Sequence, residues 1–119
     1  MLFRSFAPGV KIYSTIPERN NYGNLKGTSM ATPIVSGLAA ILKSYYPLLS
    51  AVDLKNIIEQ SVYVPSKEIK CIKPGSEQVA VSFSDLSKTG GIVNAYNAVK
   101  LAQEYKSTTI IKPTVQSKK

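Results

Sequence analysis

The chain has 119 residues, the size of one modest domain, and 44% of them are hydrophobic. It contains no histidine and a single cysteine, Cys71, so an internal disulfide is excluded and a transition-metal site is not expected. The net charge of +8 comes from 15 basic and 7 acidic residues. The lysines are dispersed rather than grouped in a block, so we expect a solvated surface and no nucleic-acid partner.

The first half of the chain predicts a strand, a loop and a long helix. Residues 10–15 alternate apolar and polar in strand fashion, and residues 16–26 are expected to form a polar loop. The apolar segment 31–42 predicts a helix, with Thr28 as its N-cap. Pro33 is tolerated only in the first turn of such a helix, where a missing N–H does least harm. Because the helix is apolar nearly all round, it should be buried on all sides.

The second half predicts two further helices. Ser50 and Asp53 have the spacing of a capping box, and the apolar residues that follow lie on one helical face. Asn94 is expected to cap the last helix, in which Ala98 and Ala102 belong to the apolar face. These patterns are structural and indicate no chemistry.

Between these two helices the sequence becomes β-like. Residues 67–73 alternate charged and apolar side chains, and residues 78–83 alternate again. Pro74 and Gly75 lie between the two segments and favour a turn. The sequence therefore predicts a hairpin between the second and third helices.

One short segment is typical of a catalytic nucleophile, the run Gly27-Thr28-Ser29-Met30-Ala31-Thr32-Pro33. Gly27 has no Cβ, so the backbone can turn tightly and approach a substrate closely there. A serine at the start of a helix has its hydroxyl and its backbone N–H at the positive end of the helix dipole, where an oxyanion is stabilised. In most sequences a serine at this position is only a helix cap. Here the full seven-residue context favours a catalytic origin instead, but it does not establish present activity.

These seven residues resemble the nucleophile motif of the subtilisin-like serine proteases, the subtilases. Other segments resemble the strand before that motif, the start of its loop, the helix end and the closing segment of the same domain: Phe6-Ala7-Pro8-Gly9-Val10, Tyr22-Gly23, Ser44-Tyr45-Tyr46-Pro47 and Gly90-Gly91-Ile92-Val93-Asn94-Ala95-Tyr96. The resemblance implies an α/β fold, namely the C-terminal part of a subtilisin-like doubly wound parallel-sheet sandwich that is incomplete as an isolated chain.

The same resemblance predicts how the chain is divided. Residues 1–106 would be a partial subtilase catalytic domain with a β-like insertion at about 62–89, and residues 107–119 a disordered tail. Most of the sheet would come from sequence outside this chain. We therefore expect the isolated chain to be marginally stable, aggregation-prone or dependent on a partner.

By resemblance Ser29 is the nucleophile, and its backbone N–H is an oxyanion donor. In the family the catalytic aspartate and histidine come earlier in the chain than the serine. Only 28 residues precede Ser29, and they include neither residue type. The resemblance places substrate binding at four neighbouring residues: Leu25, Lys26, Gly27 and Thr28.

The predicted function is therefore that of a fragment of a subtilisin-like serine endopeptidase, a hydrolase that cleaves peptide bonds through an acyl-enzyme on Ser29. This chain alone is expected to be inactive because the catalytic aspartate and histidine are absent. The alternative is a non-catalytic remnant, a pseudoenzyme or an interaction fragment that keeps the scaffold. A basic binding module has only the net charge in its favour.

No cofactor and no metal are expected. The expected partners are a polypeptide substrate, if the complete domain exists, and the missing N-terminal part of the domain. No segment reaches the ~18 to 20 apolar residues of a membrane span. Residues 1–10 do not read as a secretory signal, because Pro8 and Gly9 interrupt them. Subtilases are commonly exported, but the sequence itself does not assign a compartment.

Overall fold

A computed structural model describes residues 4–18 and 20–110 of the chain. Three helices and two short β hairpins make up this part. In chain order the elements are β1 (Ile12–Thr15), β2 (Tyr22–Leu25), α1 (Thr28–Tyr45), α2 (Ala51–Gln60), β3 (Lys70–Ile72), β4 (Ala80–Ser82), a 3-10 turn (Phe83–Leu86) and α3 (Ala95–Ile110).

Strands β1 and β2 pair antiparallel, so the predicted loop at residues 16–26 is wrong for the four residues of β2. Thr15 lies opposite Tyr22, and the rings of Tyr13 and Tyr22 stack diagonally across the two strands with centroids 5.7 Å apart. Such diagonal pairs stabilise a two-stranded ribbon. A ribbon with one exposed face carries polar residues as a loop does, so polarity alone did not reveal β2.

Helix α1 begins earlier than its apolar residues indicate. Gly27 is the N-cap, with φ +147° and no side-chain cap, so the prediction of Thr28 as N-cap is wrong by one residue. A β-branched threonine does not readily take a positive φ, whereas glycine does. Pro33 is consequently the sixth helical residue and not part of the first turn. Because proline has no N–H, the carbonyl of Ser29, four residues earlier, lacks a helical donor.

The three helices enclose a small core. Leu42 is fully buried, whereas Ile41 on the same helix is 49% exposed. The expected burial of α1 on all sides is therefore not met within this chain, and α1 buries one face only. The buried hydrophobic side chains in the described part of the chain are Leu38, Leu42, Leu49, Ile57, Ile58, Ala98 and Ala102.

The other two predicted helix caps, at Ser50 and Asn94, are confirmed. The Ser50 side-chain oxygen accepts a hydrogen bond from the Asp53 N–H (3.1 Å), and the Ser50 N–H donates to Asp53 Oδ2 (2.9 Å). At the start of α3, Asn94 Oδ1 accepts from the Asn97 N–H (3.0 Å). Each cap satisfies a backbone N–H that has no partner within its helix.

Three separate chain segments meet in a small β arrangement beside the helices. Phe6 pairs parallel with Ile92, and Ile92 pairs antiparallel with Tyr63. The Phe6 N–H donates to the Gly91 carbonyl (2.9 Å), and the Phe6 carbonyl accepts from the Val93 N–H (2.8 Å). These bonds fix the position of the segment that leads into the nucleophile motif.

The predicted hairpin between α2 and α3 is present, with shorter strands than expected. Strands β3 and β4 pair antiparallel, and Gly75 has φ +85° in the turn between them. Where the hairpin closes, the Phe83 N–H donates to the Ile69 carbonyl (2.7 Å), and the ring of Phe83 stacks on Phe6 with centroids 4.2 Å apart. The hairpin is thus anchored to the segment that precedes β1.

Two remaining predictions concern the end of the chain and the membrane. Of the predicted tail, residues 107–110 form the last part of α3, and residues 111–119 lie outside the described residues. No helix in the described ranges is both long enough and apolar enough to cross a bilayer.

Candidate active site

The segment before α1 is held against the segment that precedes β1. The Gly27 N–H donates to the Gly9 carbonyl (2.8 Å). A Cβ on Gly9 would lie 2.7 Å from the Gly27 carbonyl oxygen, a distance at which the backbone would have to shift. Gly9 is therefore required for this close approach, and the approach sets where α1 begins.

Ser29 is the second residue of α1, and it is exposed to solvent. Its backbone N–H belongs to the first helical turn, whose N–H groups lack helical acceptors and lie at the positive end of the dipole. Ser29 Oγ is 3.4 Å from the position that a Cβ on Gly27 would take. The structure thus places an accessible hydroxyl and a backbone donor together, which are two of the groups that acyl transfer requires.

Ser29 borders a cleft of about 890 Å³, called the Ser29 cleft below. Its walls are mostly apolar and come from the segment before β1, the start of α1 and the β3–β4 hairpin with its 3-10 turn. The lining residues are Ser5, Phe6, Ala7, Thr28, Ser29, Ala31, Thr32, Val35, Lys73, Pro74, Val81, Asp85 and Leu86.

The four residues predicted to bind substrate lie in different surroundings. Thr28 lines the Ser29 cleft, whereas Gly27 forms the N-cap of α1. Leu25 is half-buried at the end of β2, opposite Ile12, and Lys26 is exposed between β2 and α1. Of these four residues, Thr28 alone is among those that line the Ser29 cleft. Leu25 and Lys26 lie at and just after the end of the β1–β2 hairpin.

Two charged side chains in the cleft were missed by the sequence analysis. Lys73 follows β3, and Asp85 lies in the 3-10 turn after β4, so both reach the cleft through the hairpin. No local pattern could have indicated this, because the position of the hairpin depends on the contact between Phe6 and Phe83. They bring one positive and one negative charge into a mostly apolar cleft.

Two carboxylates with shifted pKa values, Asp53 and Glu59, make contacts within the fold and not in the cleft. The Ser50 hydroxyl donates to Asp53 Oδ2 (2.6 Å) and the Ser50 backbone N–H donates to the same oxygen, so the pKa of Asp53 lies below its ordinary value. Burial raises the pKa of Glu59, but the hydrogen bond from Arg4 and the nearby positive charges outweigh it and lower the pKa overall. Neither carboxylate lines the Ser29 cleft.

Comparison with known proteins gives a consistent result. The family model described as the subtilase family matches residues 5–104. Subtilisin DY of Bacillus licheniformis is 56% identical over 50 residues, which cover 42% of this chain and 18% of that protein. Subtilisin-like protease 1 of Plasmodium vivax is 37% identical over 106 residues, which cover 89% of this chain and 14% of that protein.

Solved structures agree with these relatives. A chain from the structure of the subtilase cytotoxin SubAB assembly matches 90% of this chain, with a TM-score of 0.66 and 26% identity, and the match covers 28% of that chain. The patellamide maturation protease PatA matches 82% of this chain, with a TM-score of 0.52 and 27% identity, over 33% of its own length.

The chain belongs to the subtilase family, whose model matches most of its length. The predicted fold, an incomplete α/β subtilisin-like fold, is confirmed by the structural matches. The chain spans less than a fifth of either of these two relatives, 18% and 14% of their lengths.

Proposed function

We propose that the chain is part of a subtilisin-like serine endopeptidase in which Ser29 is the nucleophile. The observation that carries this proposal is the position of Ser29 within the matched family segment. Its hydroxyl is exposed beside Gly27 at the second residue of α1, and it borders a cleft. A residue that only capped the helix would lie at the N-cap, which Gly27 occupies instead.

In this proposal Ser29 Oγ attacks the scissile carbonyl carbon while a base outside this chain takes the hydroxyl proton. The carbonyl oxygen becomes an oxyanion, which accepts a hydrogen bond from the Ser29 backbone N–H. The C–N bond then breaks, and the leaving amine takes the proton from the base. Water subsequently hydrolyses the acyl-enzyme, so that the acid product is released and the Ser29 hydroxyl is restored.

The substrate is a polypeptide, and four residues before Ser29 are proposed to contact it. Gly27 allows close approach of the substrate backbone, and Thr28 lines the cleft. Leu25 and Lys26 lie immediately before the motif and are proposed to face the part of the substrate beyond the scissile bond. These four residues are consecutive and run from the end of β2 to the start of α1.

The isolated chain is proposed to be inactive. It has no histidine, and no aspartate precedes Ser29. Removing the serine or histidine of such a triad costs on the order of 10⁶ in rate, so a chain without the base would hydrolyse peptides at a negligible rate. The same absence favours the second candidate, a non-catalytic remnant, pseudoenzyme or interaction fragment.

A fluorophosphonate probe tests the activity of Ser29. The purified chain should stay unlabelled at Ser29, because no base in the chain activates the hydroxyl. Addition of the polypeptide encoded upstream of Met1 should permit labelling, and a Ser29→Ala variant should abolish it.

Rapid labelling of Ser29 in the isolated chain would show that another residue serves as the base, and the proposed inactivity would be wrong. The nucleotides upstream of Met1 separate the two candidates. An in-frame stretch with Asp-Ser/Thr-Gly and His-Gly motifs supports the endopeptidase, whereas stop codons or unrelated sequence support the remnant.

A further inference from the structure

The β1–β2 hairpin has one face that is open to solvent and carries two aromatic side chains. Tyr13 is 70% exposed and Tyr22 is 58% exposed, although their rings stack on each other. Asn24, which pairs with Tyr13, and Thr15, which pairs with Tyr22, are exposed on the same face. These four residues are called the tyrosine face below. Covering the two rings would remove apolar surface from water, so the face favours a ligand with an aromatic or apolar side chain.

The end of the hairpin nearest to Ser29 in the chain is positively charged. Lys11 and Lys26 are exposed, and they directly adjoin the last residue pair of the ribbon, Ile12 with Leu25. Among the described residues neither lysine forms a salt bridge. Two like charges on neighbouring strands repel each other, and an anionic group between them offsets that repulsion. This end of the hairpin therefore favours an acidic side chain.

The charged end and the aromatic rings follow one another along β2. Tyr22 and Asn24 share the tyrosine face, and Lys26 is the next exposed residue along the chain. At ~3.3 Å per residue, Lys26 lies up to about 13 Å from Tyr22. An extended polypeptide has the same rise per residue, and its alternate side chains point to one side. It therefore presents two side chains to this surface when they are about four residues apart.

We propose that the tyrosine face and the two lysines bind the part of the polypeptide substrate beyond the scissile bond. The acidic side chain of the substrate lies between Lys11 and Lys26. An aromatic side chain about four residues farther from the scissile bond packs on Tyr13 and Tyr22. The inference rests on the proposed function, and it extends the proposed substrate contacts outward from Lys26 along β2.

Two alternative occupants, a second copy of the chain and a nucleic acid, fit this surface less well. The net charge of +8 makes two copies repel each other. A nucleic acid needs a row of cations along its backbone, whereas Thr15 and Asn24 between the lysines and the rings are uncharged. The surface also ends at Lys26, three residues before Ser29, so it continues the proposed path of the substrate.

A peptide titration of the isolated chain tests this surface without requiring catalysis. The probe is an alanine heptapeptide with blocked ends that carries aspartate and phenylalanine four positions apart. The amide chemical shifts of Tyr13, Tyr22 and Lys26 should move as it binds. Affinity should fall about two- to tenfold when phenylalanine directly follows aspartate in a peptide of the same composition. Replacing the aspartate by asparagine should weaken binding and its dependence on salt.

Variants of the chain test each end of the surface. Tyr22→Thr removes the ring but keeps a residue type that favours strands, and it should weaken binding about two- to tenfold. Tyr22→Phe keeps the ring and should bind normally, which separates a lost contact from a lost hairpin. The matched control is Tyr96→Thr on α3, where the side chain is 75% exposed and affinity should not change. Lys26→Gln should reduce the preference for aspartate over asparagine.

The possible outcomes separate the inference from the proposed function. Equal affinity for the two spacings, or shifts confined to residues outside the hairpin, would overturn the inference and leave the test of Ser29 unaffected. Tighter binding of a single-stranded oligothymidylate at the same amides would assign the surface to a nucleic acid and also overturn it. If the peptide preference is observed but Ser29 is never labelled, even with the upstream polypeptide, the proposed function fails and the surface is a peptide-binding surface only.

Discussion

At the residue scale, two glycines determine the position of Ser29, the proposed nucleophile. Gly9 lets the Gly27 carbonyl approach to a distance that a Cβ would not allow, and Gly27 itself takes φ +147° directly before Thr28. Only glycine adopts such a conformation at low cost. The position of Ser29 therefore depends on two residues that carry no functional group.

Replacing Gly9 tests this dependence. Gly9→Ala should displace the Gly27 carbonyl and lower the free energy of opening of the Gly9–Gly27 hydrogen bond by about 1–3 kcal/mol, as expected for overpacking. The measurement is the exchange rate of the Gly27 amide, which donates to Gly9. The control is Gly37→Ala in α1, where nothing lies within 4 Å of the added Cβ. It should stabilise the helix by about 0.5–1 kcal/mol. Equal effects of the two substitutions would contradict the steric argument.

A second prediction at this scale concerns Glu59, a mostly buried carboxylate that joins two positive side chains. It lies 2.9 Å from Arg4 and 3.5 Å from Lys88. Its pKa is lowered in the folded chain, so its contribution to stability is present above the ordinary value of 4.5 and is lost as the pH falls through the lower folded value.

Acid titration checks the sign of this effect. The helical circular dichroism signal should decline as the pH falls below 4.5, and Glu59→Gln should reduce that part of the decline. Glu68→Gln, at an exposed position, serves as the control and should leave the titration unchanged. An identical acid transition in the Glu59→Gln variant would show that the Arg4–Glu59–Lys88 contact does not stabilise the fold.

At the element scale, the helices differ in how far local sequence defines them. The reciprocal hydrogen bonds of Ser50 and Asp53 start α2 within the sequence that forms it. Helix α1 instead starts at Gly27, through a contact with Gly9 that lies eighteen residues earlier. A cap can thus be predicted when its partners are local, and it is missed when the partner is distant.

The capping box gives a test for α2. Ser50→Ala removes the acceptor of the Asp53 N–H and should cost about 1 kcal/mol of helix stability. Amide exchange across the first turn of α2 measures it. Ser44→Ala, on the exposed face of α1, changes the same residue type without a cap and should stay within about 0.5 kcal/mol of the parent chain. No loss of protection in the Ser50→Ala variant would mean that packing alone holds the first turn.

At the scale of the whole molecule, the described chain is less compact than a complete domain. Its radius of gyration is 18.6 Å, against about 13–14 Å for a compact domain of this length. The core is small, and large apolar side chains such as Leu48, which is 90% exposed, and Ile41 remain at the surface. The free energy gained by burying this small apolar surface therefore exceeds the entropy cost of ordering the chain by only a narrow margin.

We therefore expect the isolated chain to unfold without a sharp cooperative transition. Thermal denaturation followed by circular dichroism should be broad, and a dye that binds exposed apolar surface should bind before heating. If subtilase sequence is encoded upstream of Met1, addition of that polypeptide should sharpen the transition and reduce dye binding, since binding to the folded state stabilises it. A sharp two-state transition of the purified monomer would contradict this expectation.

The sequence by itself determined the family and most of the local elements, and it suggested Ser29 as the nucleophile. The run from Gly27 to Pro33, the Ser50 capping box and the turn at Gly75 were recognised because their physical reasons lie within a few residues of each other. The amphipathic spacing of α2 likewise indicated which face is buried. The fold class followed from the resemblance of whole segments, and the structural matches confirm it.

Only the tertiary structure decided how these parts meet. Neither the contact of Gly9 with Gly27 nor the stacking of Phe6 on Phe83 follows from local patterns, because each joins residues far apart in the chain. The first contact sets the start of α1 and so places Ser29, whereas the second brings the β3–β4 hairpin to the Ser29 cleft. Close packing between distant segments depends on the geometry of the whole fold. The residue types and spacing within one local segment do not specify that packing.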